Sequence, residues 1–128
     1  MLYTPHKYQY IVVSNKNNNL DILGGYNEII IVNLDPTVGS EIKKTRPCVV
    51  ISPNEMNKHL RTITIAPITS KSKDYMTRVK FKLEGIDNWI AIDQIRTIDL
   101  TRIIKIIGEL YTKEIKKVKS IIKETFVD

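Results

Sequence analysis

Residues 28–34 read Glu-Ile-Ile-Ile-Val-Asn-Leu, an almost unbroken run of β-branched apolar side chains. In a strand, neighbouring side chains point to opposite faces, so a run without polar alternation suits a central strand rather than a solvent-facing one. Cys48 to Ile51 repeats this on a shorter scale. Other runs alternate. Arg61-Thr62-Ile63-Thr64-Ile65-Ala66 reads as a third strand. Thr77 to Leu83 places Val79, Phe81 and Leu83 on one face and Arg78, Lys80 and Lys82 on the other. Trp89 to Ile92 reads as a fifth strand, and Gln94 to Ile98 and Lys105 to Leu110 are shorter candidates. Such a series of short strands predicts a mainly β fold: a small, strongly bent antiparallel barrel, which removes open sheet edges.

Two places break the strand pattern. Ser52-Pro53-Asn54-Glu55 has a serine for a cap, proline for the first helical position and a capping-box glutamate. This predicts a short helix after the second main strand, ending near Asn57 or Lys58. At the end of the chain the period becomes helical. Ile115, Val118, Ile121, Ile122 and Phe126 share one face after a threonine cap at Thr112. Lys116, Lys117, Lys119, Lys123 and Glu124 take the opposite face, which reads as solvated.

The 128 residues suit one domain. Residues 1–25 differ in composition from the remainder of the chain: Ser14 to Asn19 is a polar tract and Gly24-Gly25 breaks the chain after it. They are expected to form a polar N-terminal extension, mobile in part, although Tyr10 to Val13 could make a short strand. Residues 26–128 then form the domain. His6 falls in the extension and His59 in a turn, so a two-histidine mechanism is not expected.

Cys48 is the only cysteine, and it lies in an apolar run where it reads as a small buried hydrophobe. Two histidines and one cysteine do not make a familiar zinc site. No apolar run approaches the ~20 residues that span a bilayer. The first residues lack the apolar stretch of a signal peptide, so a cytoplasmic protein with no membrane contact is expected. A net charge of +6 favours an anionic partner, either nucleic acid or an acidic protein segment.

The loop between the first two apolar runs holds the candidate chemistry. Arg46 precedes Pro47, which favours an extended backbone at the mouth of the second strand. Its guanidinium can grip two phosphate oxygens and stabilise charge that develops at phosphorus. Equally, it could pair structurally with Glu41 or Asp93. Glu41 could accept a proton from a ribose 2′-hydroxyl, orient Arg46 or cap a turn. Thr69-Ser70-Lys71-Ser72-Lys73 combines hydroxyls and lysines in a backbone-binding composition, or makes an ordinary polar turn. Asp93 comes after the fifth strand, at a site or at a turn. Asp35 with Glu41-Ile42-Lys43 formally fits the acid…ExK pattern of metal-dependent nucleases. Those ligands normally project from core strands. Here they share one Pro/Gly-bearing loop, so the match is discounted and no metal or other cofactor is expected.

Four blocks now occur in a telling order: "NLDPTVGSEIKKTRP" at 33–47, "VVISPNEMN" at 49–57, "APITSKSKDY" at 66–75 and "IAIDQIRTID" at 90–99. From near Glu28 to about Phe126 the chain resembles the MazF/PemK/Kid toxins of type II toxin–antitoxin pairs. The resemblance implies an SH3-like barrel of the CcdB/Kid/MazF type with a C-terminal helix, working as a homodimer. It implies metal-free, sequence-specific cleavage of single-stranded RNA, leaving a 2′,3′-cyclic phosphate and a 5′-hydroxyl. The implied catalytic residues are Arg46, Thr69, Glu41 and Asp93. Ser40, Lys43, Lys44, Ser70, Lys71 and Lys73 would bind RNA. An antitoxin with an acidic C-terminal segment is implied as partner, and DNA only indirectly through it. The chain departs from the family pattern in places. Ala91 stands where some relatives carry an arginine two residues before the Asp93 position, and Ser40 where some carry histidine. A non-enzymatic gyrase poison of the CcdB kind, or an inactive family member that only binds antitoxin or RNA, would share the barrel. Such proteins act through their C-terminal residues, and this chain ends Glu-Thr-Phe-Val-Asp without a tryptophan-glycine tail.

Overall fold

The computed structural model describes residues 27–127. The expected extension over 1–25, its Tyr10–Val13 strand, His6 and the domain boundary at 26 lie outside the described residues. Within them the chain runs β1 (Glu28–Asn33), β2 (Thr45–Val50), α1 (Asn54–His59), β3 (Thr62–Thr69), β4 (Arg78–Leu83), β5 (Ile86–Ala91), β6 (Arg96–Asp99), β7 (Ile103–Glu109) and α2 (Thr112–Phe126). The strand order is β4-β5-β3-β2-β1-β7, with β6 paired to β3. Every pairing is antiparallel. Among the described residues this path does not close on itself, so the sheet is a curled half-barrel with β4 and β7 at its ends.

β3 makes the curl. Its first half, Thr62 to Ile65, pairs with β6, while Ile68 and Thr69 pair with β5. Pro67 lies where the partner changes, facing Cys48 of β2 on the other side. A proline has no N–H to give a ladder, so it is tolerated where one pairing stops and the next begins. The alternation had predicted a strand ending at Ala66; the second pairing extends it to Thr69.

The core explains the unbroken apolar runs. Ile29 and Val49 point into one cluster with Ala66, Ile68, Val79, Phe81, Ile90 and Val118. Ile30, Val32, Cys48 and Val50 point into another with Ile63, Ile65, Ile98 and Ile106. β1 and β2 are therefore buried on both faces. α2 covers the first cluster through Val118, with Ile115, Ile121 and Ile122 packed around it. Phe126, expected on that face, is largely exposed.

Both helix starts differ from expectation. Pro53, not Ser52, stands at the cap of α1, and no side chain caps it. Ser52 is used instead to anchor the helix. Its hydroxyl donates to Asn57 Oδ1 at 2.6 Å and accepts the Thr64 N–H at 3.0 Å, and Asn57 Nδ2 returns a bond to the Ser52 carbonyl at 2.9 Å. α1 also runs on to His59, which is exposed at the helix end rather than in a turn. In α2, Thr112 is the first helical residue and Tyr111 the cap. The Glu114 carboxylate accepts the Tyr111 N–H at 2.8 Å, which satisfies the chain where it enters the helix. Ile92, expected in β5, instead begins a 3-10 turn, Ile92–Gln94.

Candidate active site

The β1–β2 loop is closed at its base. Leu34 N–H donates to the Lys44 carbonyl at 3.0 Å, and Lys44 N–H to Asp35 Oδ1 at 3.0 Å. Arg102 holds the carbonyls of Asn33 and Asp35, and Arg96 that of Leu34. Lys44 adopts a left-handed φ of 73°, which costs a residue with a Cβ about 1–2 kcal/mol and is held by these bonds. At the loop's tip, Glu41 Oε1 accepts the Val38 N–H at 2.6 Å across a turn that Gly39 makes with φ +57°. Glu41 thus caps a turn. Asp35 closes the loop, and its carboxylate and that of Glu41 bond different amides. Among the described residues no group of three or more His, Cys, Asp or Glu converges as metal ligands.

Arg46 emerges half-buried from the start of β2, opposite Val32 of β1. Its Nε donates to the Lys43 carbonyl at 2.7 Å, which fixes the guanidinium plane against the loop. Among the described residues it pairs with neither Glu41 nor Asp93. Thr69 ends β3 and is only 6% exposed. Its hydroxyl accepts the Lys71 N–H at 3.2 Å and lies 3.3 Å from the Lys71 carbonyl, so it shapes the turn after the strand. The last β2–β3 pair is Cys48 with Pro67. Continuing that antiparallel register by two residues brings Arg46 and Thr69 to the same end of the ladder. Ser40, Lys43, Lys44, Ser70, Lys71 and Lys73 are all exposed on the loops around that end.

Asp93 sits in the 3-10 turn after β5, and its partner is Arg78. Arg78 Nε lies 2.6 Å from Oδ1 and Nη2 lies 2.9 Å from Oδ2, while Thr77 Oγ1 donates to Oδ1 at 3.1 Å. These bonds, the Arg78 ones foremost, hold the Asp93 carboxyl below its ordinary value. Arg78 Nη1 also donates to Ser72 Oγ at 3.2 Å. One guanidinium therefore ties the loop after Thr69 to Asp93. A cavity of about 260 Å³ lies between the two loop systems, lined by Glu41, Ile42, Pro67, Asp93, Gln94 and Arg96. Gln94 Oε1 accepts the Ile42 N–H at 3.3 Å across it. Below this surface, Cys48 is fully buried, and burial pushes its thiol up to about 12. It is a core side chain and not a nucleophile.

The structure thus brings Glu41 and Asp93 to one cavity and Arg46 and Thr69 to one strand end. Sequence reasoning missed Arg78, Gln94 and Arg96. A signal for Arg78 was present. Glu84-Gly85 separates the β4 and β5 runs, and both residues have positive φ, 52° and 79°. A two-residue hairpin there sets Leu83 opposite Ile86, and the same register puts Arg78 opposite Ala91, two residues from Asp93.

The fold is a curled antiparallel half-barrel with a C-terminal helix, and Ser40, Lys43, Lys44, Ser70, Lys71 and Lys73 are exposed on its loops. Residues 26–126 match the model of the PemK-like, MazF-like toxins of type II toxin–antitoxin systems. The chain belongs to that family. It is 30% identical over 102 residues to "Endoribonuclease MazF" of Staphylococcus saprophyticus, covering 74% of this chain and 84% of the relative. It is 35% identical over 78 residues to "Endoribonuclease PemK" of Escherichia coli, covering 57% and 59%. Among solved structures, MazF from Deinococcus radiodurans superposes with a TM-score of 0.72 at 22% identity, over 80% of this chain and 94% of the other. A mycobacterial endoribonuclease in complex with its cognate antitoxin superposes with a TM-score of 0.67 at 15% identity, over 78% and 91%. At these identities the two structures establish the fold.

Proposed function

We propose that this protein is the toxin of a type II pair, an endoribonuclease that cuts single-stranded RNA at a short sequence without a metal. The observation that supports this reading is the placement of Arg46 and Thr69 just beyond the Cys48–Pro67 end of the β2–β3 ladder, where Pro67 also lines a cavity walled by Glu41 and Asp93, in a chain of this family. The ribose 2′-oxygen attacks the adjacent phosphorus, the bond from phosphorus to the 5′-oxygen breaks, and that oxygen takes a proton from water, giving 2′,3′-cyclic phosphate and 5′-hydroxyl ends. Arg46 stabilises the charge that builds on the phosphoryl oxygens, with its plane already set by the Lys43 carbonyl. Thr69 presents its hydroxyl to a phosphate oxygen. Glu41 takes the 2′-hydroxyl proton through the carboxylate oxygen that does not cap the Val38 turn. Asp93, with both oxygens engaged by Arg78, positions the surrounding groups. Ser40, Lys43, Lys44, Ser70, Lys71 and Lys73 line the approach and hold the RNA backbone.

The same loops carry positive charge, which suits an antitoxin whose acidic C-terminal segment occupies the RNA path. That partner is the route by which DNA would be contacted. The working form is a cytoplasmic homodimer, supported by large apolar side chains left exposed on the loops, Val38 and Met76. The test is incubation of the purified protein with a long single-stranded RNA in excess EDTA, followed by mapping of the cut ends. Cuts at one short sequence with cyclic phosphate ends, blocked by a 2′-deoxy residue at the cut, are expected. Cleavage that requires Mg²⁺, or DNA cut as readily as RNA, overturns the proposal.

A further inference from the structure

Beyond the candidate site, the outer face of β4 carries Arg78, Lys80 and Lys82 at two-residue spacing. Across the hairpin they face Ala91, Trp89 and Asp87. The Lys80 and Lys82 side chains are 51% and 70% exposed, and each reaches toward Asp87, at 3.8 and 3.2 Å. Lys113 and Lys117, one helical turn apart on α2, approach the same strand from the other side. A groove of about 600 Å³ is walled by Lys80, Lys82, Asp87, Tyr111, Lys113 and Glu114. A hollow of about 270 Å³ continues it along Lys80, Lys113 and Lys117. Among the described residues of these walls two carboxylates, Asp87 and the buried Glu114 that also accepts the Tyr111 N–H, stand against four ammonium groups.

Stability does not account for this crowding. Lysines on an edge strand discourage a second sheet from pairing there, which explains Lys80 and Lys82. It does not explain why α2 adds Lys113 and Lys117 to the same groove, where like charges repel. Concentrated positive charge of this kind fits an anionic occupant. The strip is also continuous with the candidate site. Arg78 at its head holds Asp93 and Ser72. From Arg78 to Lys82 it runs four residues along an extended strand, about 13 Å at strand rise.

We propose that this groove is a track for the phosphates of single-stranded RNA on one side of the cut, so that long RNA is held beyond the nucleotides being cleaved. The proposal rests on the endoribonuclease reading. RNA suits the strip better than an acidic peptide because aromatic faces accompany the charges. Lys80 lies 5.6 Å from the centre of the Trp89 ring, and Arg78 lies 5.7 Å from that of Tyr75, itself 54% exposed. Cations interleaved with rings are how single strands are held without sequence readout.

The test uses two double variants, Lys80→Gln with Lys82→Gln and Lys113→Gln with Lys117→Gln, each checked for an unchanged melting temperature. Binding of a labelled oligouridine of about 20 nucleotides, longer than one small-domain site, is measured against salt concentration. The slope of log K against log salt is expected to fall by about 0.7 for each lysine that contacts a phosphate. Cleavage of the shortest RNA that the wild type cuts is expected to stay unchanged. A wild-type slope in both folded variants overturns the track. A poly-glutamate peptide held through these lysines while oligouridine is not overturns it in favour of an acidic protein. Lysine-dependent RNA binding by a protein that cuts nothing upholds the track and removes the nuclease reading. The pairs lie on different elements, so if one fails to fold the other still decides.

Discussion

Arg46 and Arg78 both lie near the start of a strand, yet their bonds give them different work. Arg46 spends only its Nε on the protein, on a backbone carbonyl, and among the described residues it has no carboxylate partner. Replacing it with alanine is expected to lower cleavage by about 10²–10³-fold, the usual cost of a preorganised charge at a developing oxyanion, with the melting temperature unchanged. End-point cleavage alongside a thermal melt checks both halves; undiminished cleavage by the folded variant removes Arg46 from the mechanism. Arg78 spends every nitrogen, on Asp93 and Ser72. Its loss should misplace the loop after Thr69 and slow cleavage by up to about 10²-fold, with partial rescue by lysine, which restores the charge without the fork. The pair also makes a pH prediction. The folded Asp93 pKa lies below its ordinary 3.8, so the pair's stabilisation is present above that value and lost as pH falls through the folded pKa. Asp93→Asn lacks this contribution at every pH. The gap in stability between wild type and Asp93→Asn should therefore be widest near neutrality and close below pH 3.8. A gap that is constant with pH would show that the carboxylate's charge is not what Arg78 holds.

At the scale of elements, periodicity predicted well wherever burial has one cause. β1 and β2 were legible as central strands because two core clusters bury both of their faces. β4 was legible because one face is core and the other solvent. What escaped were features set by contacts distant in sequence. β3 could run through Pro67 only because β5 takes over where β6 stops, which no local pattern announces. The Ser52 hydroxyl looked like a cap and serves as an anchor because Asn57 and Thr64 meet it. The site divides in the same way. The roles proposed for Arg46 and Thr69 come from local motifs and the family resemblance, whereas the Arg78–Asp93 pair is set by hairpin register. The start of α2 offers a test of how an element is held. Glu114 is buried, and loss of solvation raises its pKa above the ordinary 4.5, with Lys113 opposing. A raised folded pKa gives a contribution that is present at low pH and lost as pH rises through that value. Glu114→Gln keeps an acceptor for the Tyr111 N–H and removes the buried charge. It is expected to match or exceed wild-type stability at neutral pH, and to lose that advantage near pH 4.5. Glu114→Ala removes the acceptor and should cost about 1 kcal/mol in urea unfolding, as other lost caps do. Equal destabilisation by both changes would mean that the ionised carboxylate itself holds the helix start.

For the molecule as a whole, the open question is how much chain the barrel requires. The described fold is knitted from its first residues. Asn27 N–H donates to the Val50 carbonyl at 2.8 Å, and the Asn27 carbonyl accepts the Leu110 N–H at 3.1 Å. Asn27 thus links β2 to the end of β7 before β1 begins. β1 then pairs with both of those strands, so the central layer is complete from residue 28 onward. The family match begins at residue 26, and both core clusters are built from residues of 29 and beyond. The residues proposed for catalysis lie between Glu41 and Asp93. A chain that starts at Gly25 should therefore keep its fold, its association state and its cleavage, with a modest loss of stability. Far-UV circular dichroism, size-exclusion chromatography and cleavage of the same RNA test this directly. The tetrad Tyr10-Ile11-Val12-Val13 is the longest apolar run in what is removed. If the shortened chain unfolds, that tetrad completes the core. If it folds but changes association state, the tetrad belongs to the interface, and the functional unit begins before residue 25.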